Sequence, residues 1–504
     1  MYNFQAQKTR IYVPFLSNPD LVGLWPFPEF NRSLRKDFIL DRLKSEMRNI
    51  EFIDGDFIQD LGELEKVAER NDIDGILTYT LNQTLFPKAP WCFREKADVS
   101  IFKKHPMIIT GGLFAGTHQL LDFNEVVKRK KLPVLPVASF TFEDGLKDVK
   151  LALHLIEVIR NVKRSKILYV GPLERMPNPA QANFWRRDPE QYLETLKKVF
   201  GVEVIHMSAE ELNKLYENVD ENSAEEVARK WVDGAMSVDG PNKGEIGKSA
   251  RLYLAMKKAM KDTGANVISV NGRWALDFHD WLHVLGEERK EIVADNKFIP
   301  KGALKILPCM ANSQLMDEKD VSIGPEGDLD AAVTNLIGQN LTGKHGWVYE
   351  PDISFSAGQL IYFHCCIPRK LWGPDGPSQP YELRYSCGRC GVAPEIQLPL
   401  NEIVTSVKIS VTDKKLAIHS GRIVGSICKE DRYHGMKMGR GEITIGEQSC
   451  INKVIVEANA KKIFENYNYG TFGWHRSAFL GDFREQILNL ATLLRLEVIE
   501  EDRD

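Results

Sequence analysis

GPEGDLDAAVTNLIGQNLTGKHGWVYE, residues Gly324–Glu350, is the stretch on which the reading of this chain turns. It opens with a carboxylate, Glu326, shortly after the apolar run in DVSIGPE. It closes with another, Glu350, at the end of the aromatic run HGWVYE. Between them lies one helix-like segment whose Leu329, Val333, Leu336, Ile337 and Leu341 form a core-facing stripe. Asp328 or Asp330 stands where a helix cap belongs. Strand, helix and strand in this order predict a right-handed crossover, with the two strands parallel and both acids on one rim. Two close carboxylates repel one another unless a proton or a cation sits between them. A divalent metal is the simplest such cation. Taken singly, each glutamate reads equally well as a solvated loop acid.

Outward from this stretch the texture falls into three parts. RIYVPF, IEFIDGDF, IDGILTYTL, HPMIITGG, LPVLPVASF and SKILYVGP are strand patterns separated by helical periodicity, the strongest being DGLKDVKLALHLIEVIRNV. Such alternation predicts parallel sheets covered by helices, with ligands beyond the carboxyl ends of the strands. A second αβ segment follows the polar break ENVDENSAEE and ends in DVSIGPE. After about Pro368, IVTSVKISV, KLAIHSGRIVGSI, GEITIGE and NKVIVEANA alternate with period two, which predicts an antiparallel β domain. GDFREQILNLATLLRL is the closing helix. The expected fold is α/β: two Rossmann-like α/β domains, residues 1–163 and 164–345, then an antiparallel β-rich domain, residues 346–504, with a terminal helix. The central domain carries Glu326; the last carries Glu350 and His475.

The 504 residues are too many for one ordinary domain. A hydrophobic fraction of 43% with 27% charged residues is that of a globular protein with a large core. The net charge of -4 gives no general attraction to nucleic acid or an anionic membrane. The N-terminus MYNFQAQKTRIYVPF has no apolar signal-peptide region, and no apolar run is long enough to span a bilayer. A cytoplasmic protein with reduced thiols is therefore expected for the eight cysteines, among them Cys365, Cys366 and the CGRC of Cys387 and Cys390. CGRC lacks the second CxxC of a zinc site. GGLFAGTH, residues 111–118, lacks the spacing of either nucleotide-binding fingerprint.

Two histidines go with the glutamates. His364 ends the apolar run GQLIYFH, and His475 precedes the last helix in TFGWHRSAFLGD. Carboxylates combined with imidazole suit a borderline cation such as Mn²⁺. The plain alternative for His364 is a hydrogen-bonded core histidine.

EGD, an apolar helix ending in LTG, and an aromatic strand ending in an acid resemble the metal-binding core of the L-fucose isomerase and L-arabinose isomerase superfamily. Glu326 matches the first acid of that family's E-x-D motif, and Glu350 falls at its second acid without a gap. His475, with Gly481 and the helix Glu485–Leu496 following, matches the histidine near the C-terminus. The arabinose-type enzymes add a histidine on the next strand, for which His364 is the candidate. The resemblance covers Leu307–Pro368 and His475–Val498. Trp474 stands where the fucose-type pattern has Asn.

The resemblance implies a ketol isomerase with Mn²⁺, or another divalent cation, held by Glu326, Glu350 and His475 and, as a candidate fourth ligand, His364. It implies a free pentose or 6-deoxyhexose as substrate and a homo-oligomer, a trimer or hexamer. A metal on O1 and O2 of an open-chain sugar polarises the carbonyl. Glu326 and Glu350 then move the protons as general base and acid. Trp474, with Tyr469 and Phe472, is expected along the sugar pocket. The rivals are a glycoside hydrolase using Glu326 and Glu350 without metal, and a non-catalytic sugar-binding protein.

Overall fold

The computed structural model describes residues 8–18, 27–59, 61–82, 104–112, 117–171, 188–271, 306–386, 391–427 and 450–504. The CGRC cysteines and the strand expected at GEITIGE lie outside the described residues. Contacts group the chain into two compact units, Asn3–Asn161 with Glu485–Glu497, and Val162–Arg484 with Val498–Asp504. The segments expected as separate central and C-terminal domains lie together in the second unit, except Glu485–Glu497, which belongs to the first.

In the first unit β1 (Thr9–Leu16), β2 (Ile50–Ile58), β3 (Gly75–Thr80), β4 (Met107–Gly111) and β5 (Val134–Ala138) form one sheet in the order β2-β1-β3-β4-β5. Every pairing in it is parallel. β3 and β4 are buried along their whole length, which is why they read as continuous apolar runs.

Among the described residues, the second unit holds three sheets. β6 (Lys166–Val170), β7 (Glu203–Met207), β9 (Val267–Val270) and β10 (Ser322–Ile323) form a parallel sheet ordered β10-β9-β6-β7. The short β8 (Ser237–Asp239) joins β13 (Tyr381–Tyr385) and β14 (Val392–Ile396) in a small mixed sheet. The third comprises β11 (Trp347–Ser354), β12 (Gln359–His364), β15 (Ile403–Ser410), β16 (Lys415–Ser426), β17 (Asn452–Glu457) and β18 (Arg476–Leu480). These run in the order β15-β18-β11-β12-β17-β16, and β16 pairs back onto β15, so the antiparallel ring closes. A last strand, β19 (Glu497–Glu500), attaches to β16. Mixed α/β architecture with parallel sheets and an antiparallel C-terminal part is thus present, the latter as a closed barrel. The final helix runs Arg484–Leu494. Among the described residues, no helix is long and apolar enough to cross a membrane.

One expectation is overturned. β10 and β11 are not parallel neighbours: β10 pairs with β9 in the parallel sheet, while β11 pairs antiparallel with β12 and β18 in the barrel. The helix Leu329–Thr342 between them buries eleven of its fourteen residues. It packs on β9 and β10 from one side and on β15 and β18 from the other. A helix covered on two sides resembles a crossover helix in sequence, but this one bridges two sheets.

The barrel interior is polar as well as apolar. Tyr349 and Tyr362 stack at 3.6 Å, and their hydroxyls reach His419 Nε2 at 3.1 and 2.8 Å. His419 Nδ1 lies 2.7 Å from Glu501, which also accepts from Arg476 at 2.7 Å. Tyr349 on β11 is adjacent in the ring to neither β15, which carries Ser406, nor β16, which carries His419, so its bonds to them run through the centre. Burial disfavours the Glu501 carboxylate, but Arg476 and His419 outweigh it and hold its pKa at about 2.

Two outcomes follow. A Cβ on Gly338 would come within 2.0 Å of the Phe479 ring on β18. Gly338→Ala should therefore lower stability by about 1–3 kcal/mol in urea unfolding, against the usual gain for a helical Gly→Ala change, and Phe479→Leu should recover part of it. Glu501 binds its proton more weakly folded than unfolded. Its contribution is present above the ordinary carboxylate range and lost as pH falls toward about 2. Glu501→Gln should flatten that part of an acid-unfolding curve.

Candidate metal centre

Four side chains from remote parts of the chain arrive at one place. Glu326 sits in the turn Pro325–Gly327 that follows β10. His364 is the last residue of β12, Glu350 lies in β11, and His475 immediately precedes β18. Glu326, His364 and His475 each offer a ligand atom, all within 4.8 Å of one another. Glu350 stands beside this trio, its Oε1 3.7 Å from His475 Nε2. The imidazole rings of His364 and His475 cross at 78° with centroids 5.8 Å apart.

The backbone at Glu326 is unusual. Its φ is +57°, a left-handed conformation that disfavours side chains other than glycine by roughly 1–2 kcal/mol. The following Gly327 has φ +76°, and a Cβ there would lie 2.7 Å from Asn271 Cβ at the end of β9. The turn is thus clamped against β9. Glu326 Oε1 comes to 3.9 Å from His364 Nε2.

His475 is fully buried, and its Nδ1 lies 2.9 Å from Asp328 Oδ2. Asp328 also accepts from Lys408 Nζ at 2.6 Å and caps the helix Leu329–Thr342 through Ala331 N at 2.8 Å. Burial alone would raise the Asp328 pKa, but Lys408 and His475 hold it well below the usual carboxylate range. An ionised Asp328 accepts the Nδ1 proton, which leaves the lone pair of His475 on Nε2, where the other ligands are. That Nε2 is buried and has no hydrogen-bond partner.

His364 is held differently. Its Nδ1 accepts from Cys366 N at 3.0 Å, and its buried Nε2 has no hydrogen-bond partner. Burial lowers its pKa, but Cys366 and then Glu326 outweigh that and push it up to about 9. With Nδ1 accepting, a neutral ring keeps its proton on Nε2. A cation taken there must displace that proton. Cys366 is in turn drawn down to about 6, chiefly by the hydrogen bond from Cys309 and against its own burial.

A cation fits this donor set. The lone pair of buried His475 Nε2, and buried His364 Nε2 once it gives up its proton, face at least one carboxylate, a mixture of nitrogen and oxygen ligands suited to a borderline divalent ion. Glu326 and Glu350 keep 28% and 21% of their side chains exposed, so a small molecule can reach both. The geometry brings together all four expected residues, and His364 belongs to the tightest trio while Glu350 lies at its edge.

The aromatic expectation divides. Trp474 is exposed, its ring 5.5 Å from that of Tyr469. Phe472 is buried and packs under the Arg476 guanidinium at 5.4 Å, so it is a core residue, not a pocket wall. Two residues escaped the sequence reading. Asp328 was visible only as a cap, and its second role required His475 to be folded against it. Lys408 lies in IVTSVKISV, and a lysine within such an apolar strand was the available signal. Cys309, Cys365 and Cys366 are buried and Cys450 is partly buried.

No protein-family model matches this chain, and no curated protein matches it.

Asp328→Asn removes the charge that fixes the His475 tautomer. It should weaken the binding of a divalent cation to this cluster about 10–100-fold in calorimetric titration.

Proposed function

We propose that the protein is a metal-dependent aldose–ketose isomerase acting on a free pentose or 6-deoxyhexose of the L-fucose or L-arabinose kind. The observation that carries this reading is the convergence of Glu326, Glu350, His364 and His475, with both imidazole Nε2 atoms buried and without hydrogen-bond partners. Two carboxylates alone would serve a hydrolase equally well. The pair of imidazoles between them favours a cation-dependent reaction. The resemblance to the fucose and arabinose isomerases points the same way, as does the succession of two parallel sheets and an antiparallel barrel, read as two Rossmann-like domains followed by a β-rich domain. In this reading the enzyme is cytoplasmic and a homo-oligomer, a trimer or hexamer.

Glu326, Glu350, His475 and His364 would hold Mn²⁺ or a related divalent cation, which supplies Lewis acidity at the sugar's carbonyl and neighbouring hydroxyl oxygens. The chain supplies the proton movements. One of Glu326 and Glu350 takes the proton from the carbon beside the carbonyl and returns it to the adjacent carbon. The other moves the proton between the two oxygens, so that an enediol(ate) forms and collapses between them. Their partial exposure suits this exchange with a bound sugar. Asp328 keeps His475 in one tautomer throughout, and Lys408 keeps Asp328 ionised. Trp474 and Tyr469, exposed beside His475 in sequence, offer the apolar face of the sugar a stacking surface.

The test is a panel of aldoses and ketoses with Mn²⁺ in deuterated water, read by deuterium incorporation into the sugar. A pentose or 6-deoxyhexose should acquire label at the carbon next to the carbonyl. Glu326→Gln and Glu350→Gln should each lower turnover by about 10²–10⁴ with unchanged thermal unfolding. Full activity on a glycoside after exhaustive chelation would replace this reading with hydrolysis. Ligand-induced stabilisation without label in any sugar would replace it with binding alone.

A further inference from the structure

The first unit contains a cavity that the proposed chemistry does not use. It encloses about 620 Å³ and lies beyond the carboxyl ends of β3, β4 and β5, where Leu81, Gly112 and Phe140 line it. That volume is typical of small-molecule sites. The position also fits. The chain passes from β2 on one side of β1 to β3 on the other, so the order reverses between β1 and β3. Crevices at such reversals are where open parallel sheets hold ligands.

Two hydroxyls in the lining point to an occupant. Tyr79 is 5% exposed and Thr80 is 2% exposed. Both line the cavity, and neither Tyr79 OH nor Thr80 Oγ1 has a hydrogen-bond partner. Buried hydroxyls are normally bonded, and two unbonded ones turned into the same cavity are donors available to a bound molecule. The walls are aromatic. Phe38 and Phe142 meet edge to face at 5.6 Å, and Tyr79 lies 6.0 Å from Phe142. Phe140 is 74% exposed at the margin.

Arg35 supplies the charge. Its guanidinium lies 5.1 Å from the centre of the Phe38 ring and 5.9 Å from that of Phe142. Among the described residues it makes no ion pair. Glu143, also in the lining, is engaged by Arg42 at 2.8 Å. A half-buried guanidinium stacked on rings keeps its fork of donors free for an oxyanion. The charge count limits that anion. Glu29 and Glu143 face the cavity with Arg35, so a monoanion is better tolerated than a phosphate dianion.

We infer that this cavity binds a small planar aryl carboxylate. The ring lies against the phenylalanine walls, the carboxylate takes the Arg35 fork, and the Tyr79 and Thr80 hydroxyls bond the ligand's polar edge. The inference is independent of the metal centre, since every residue it uses lies in the first unit.

The test uses the full chain in EDTA, titrated calorimetrically with 2-naphthoate, with its neutral amide 2-naphthamide, and with adenosine monophosphate. Naphthoate should bind saturably, with a Kd below about 1 mM. The amide should bind at least about tenfold more weakly, because it forfeits the charge-assisted pair. Arg35→Met should bring naphthoate down to the level of the amide. Tyr79→Phe should weaken naphthoate severalfold without lowering the melting temperature of the ligand-free chain. Phe140→Ala, at an exposed position, should weaken both naphthyl ligands and leave the fold intact. Absence of saturable naphthoate binding would overturn the inference. Equal affinity for acid and amide, or tighter binding of adenosine monophosphate, would overturn the aryl carboxylate assignment.

Discussion

Asp328 is the point on which the second unit turns. One carboxylate caps the helix Leu329–Thr342, receives the Lys408 ammonium from β15 and orients His475 ahead of β18. It thereby connects a helix lying on the parallel sheet to two strands of the barrel. Asp328 and Lys408 are both fully buried. Removing one partner of such a pair leaves an uncompensated buried charge, at about 3–5 kcal/mol. The same arrangement that stabilises the junction also decides where the His475 proton sits. Structural and chemical roles cannot be separated at this residue.

His475 is fixed from behind as well. Arg476 donates to the carbonyls of Gly473 and His475, both at 3.1 Å, while its other nitrogens hold Glu501. The alternation of a β-strand explains the division of labour. Along β11, Tyr349 joins the network through the barrel centre and the next residue, Glu350, lies at the candidate metal centre. Around the start of β18, Arg476 joins the network and the preceding His475 belongs to the centre. Glu350 and His475 thus face away from the network that holds their neighbours, whereas His364, two residues after Tyr362, shares its face and reaches the centre as the last residue of β12. Glu326 is placed by other means, a left-handed turn held against β9 by Gly327. The centre thus gathers one group from a turn of the parallel sheet and three from the barrel.

Much of this was legible from residue order. Parallel sheets followed from apolar strand runs alternating with amphipathic helices, and the antiparallel C-terminal part from period-two patterns. Glu326, Glu350, His364 and His475 were each marked by an odd polar residue at the end of an apolar run, because burying such a group without purpose is unfavourable. The crossover between β10 and β11 was misread because burial on two sides produces the same apolar helix whether its strands share a sheet or not. Barrel closure was hidden, since β15 and β16 form a local hairpin but the ring closes through the pairing of β18 with β15 and β11, strands far apart in sequence. Phe472 read as a pocket aromatic because a ring looks alike in sequence whether it faces a ligand or the core.

The residue sequence by itself therefore determined which segments are strands and helices and which side chains are chemically out of place, since local periodicity and the cost of burying polar groups are properties of short stretches. Tertiary structure alone decided that Asp328 serves His475, that Lys408 neutralises Asp328, that His364 joins the closest trio while Glu350 stands at its edge, and that Tyr79 and Thr80 turn unpartnered hydroxyls into a cavity. Each of these is a meeting of groups from different strands, and through-space electrostatics and hydrogen bonding act only once the chain has brought them within a few ångströms.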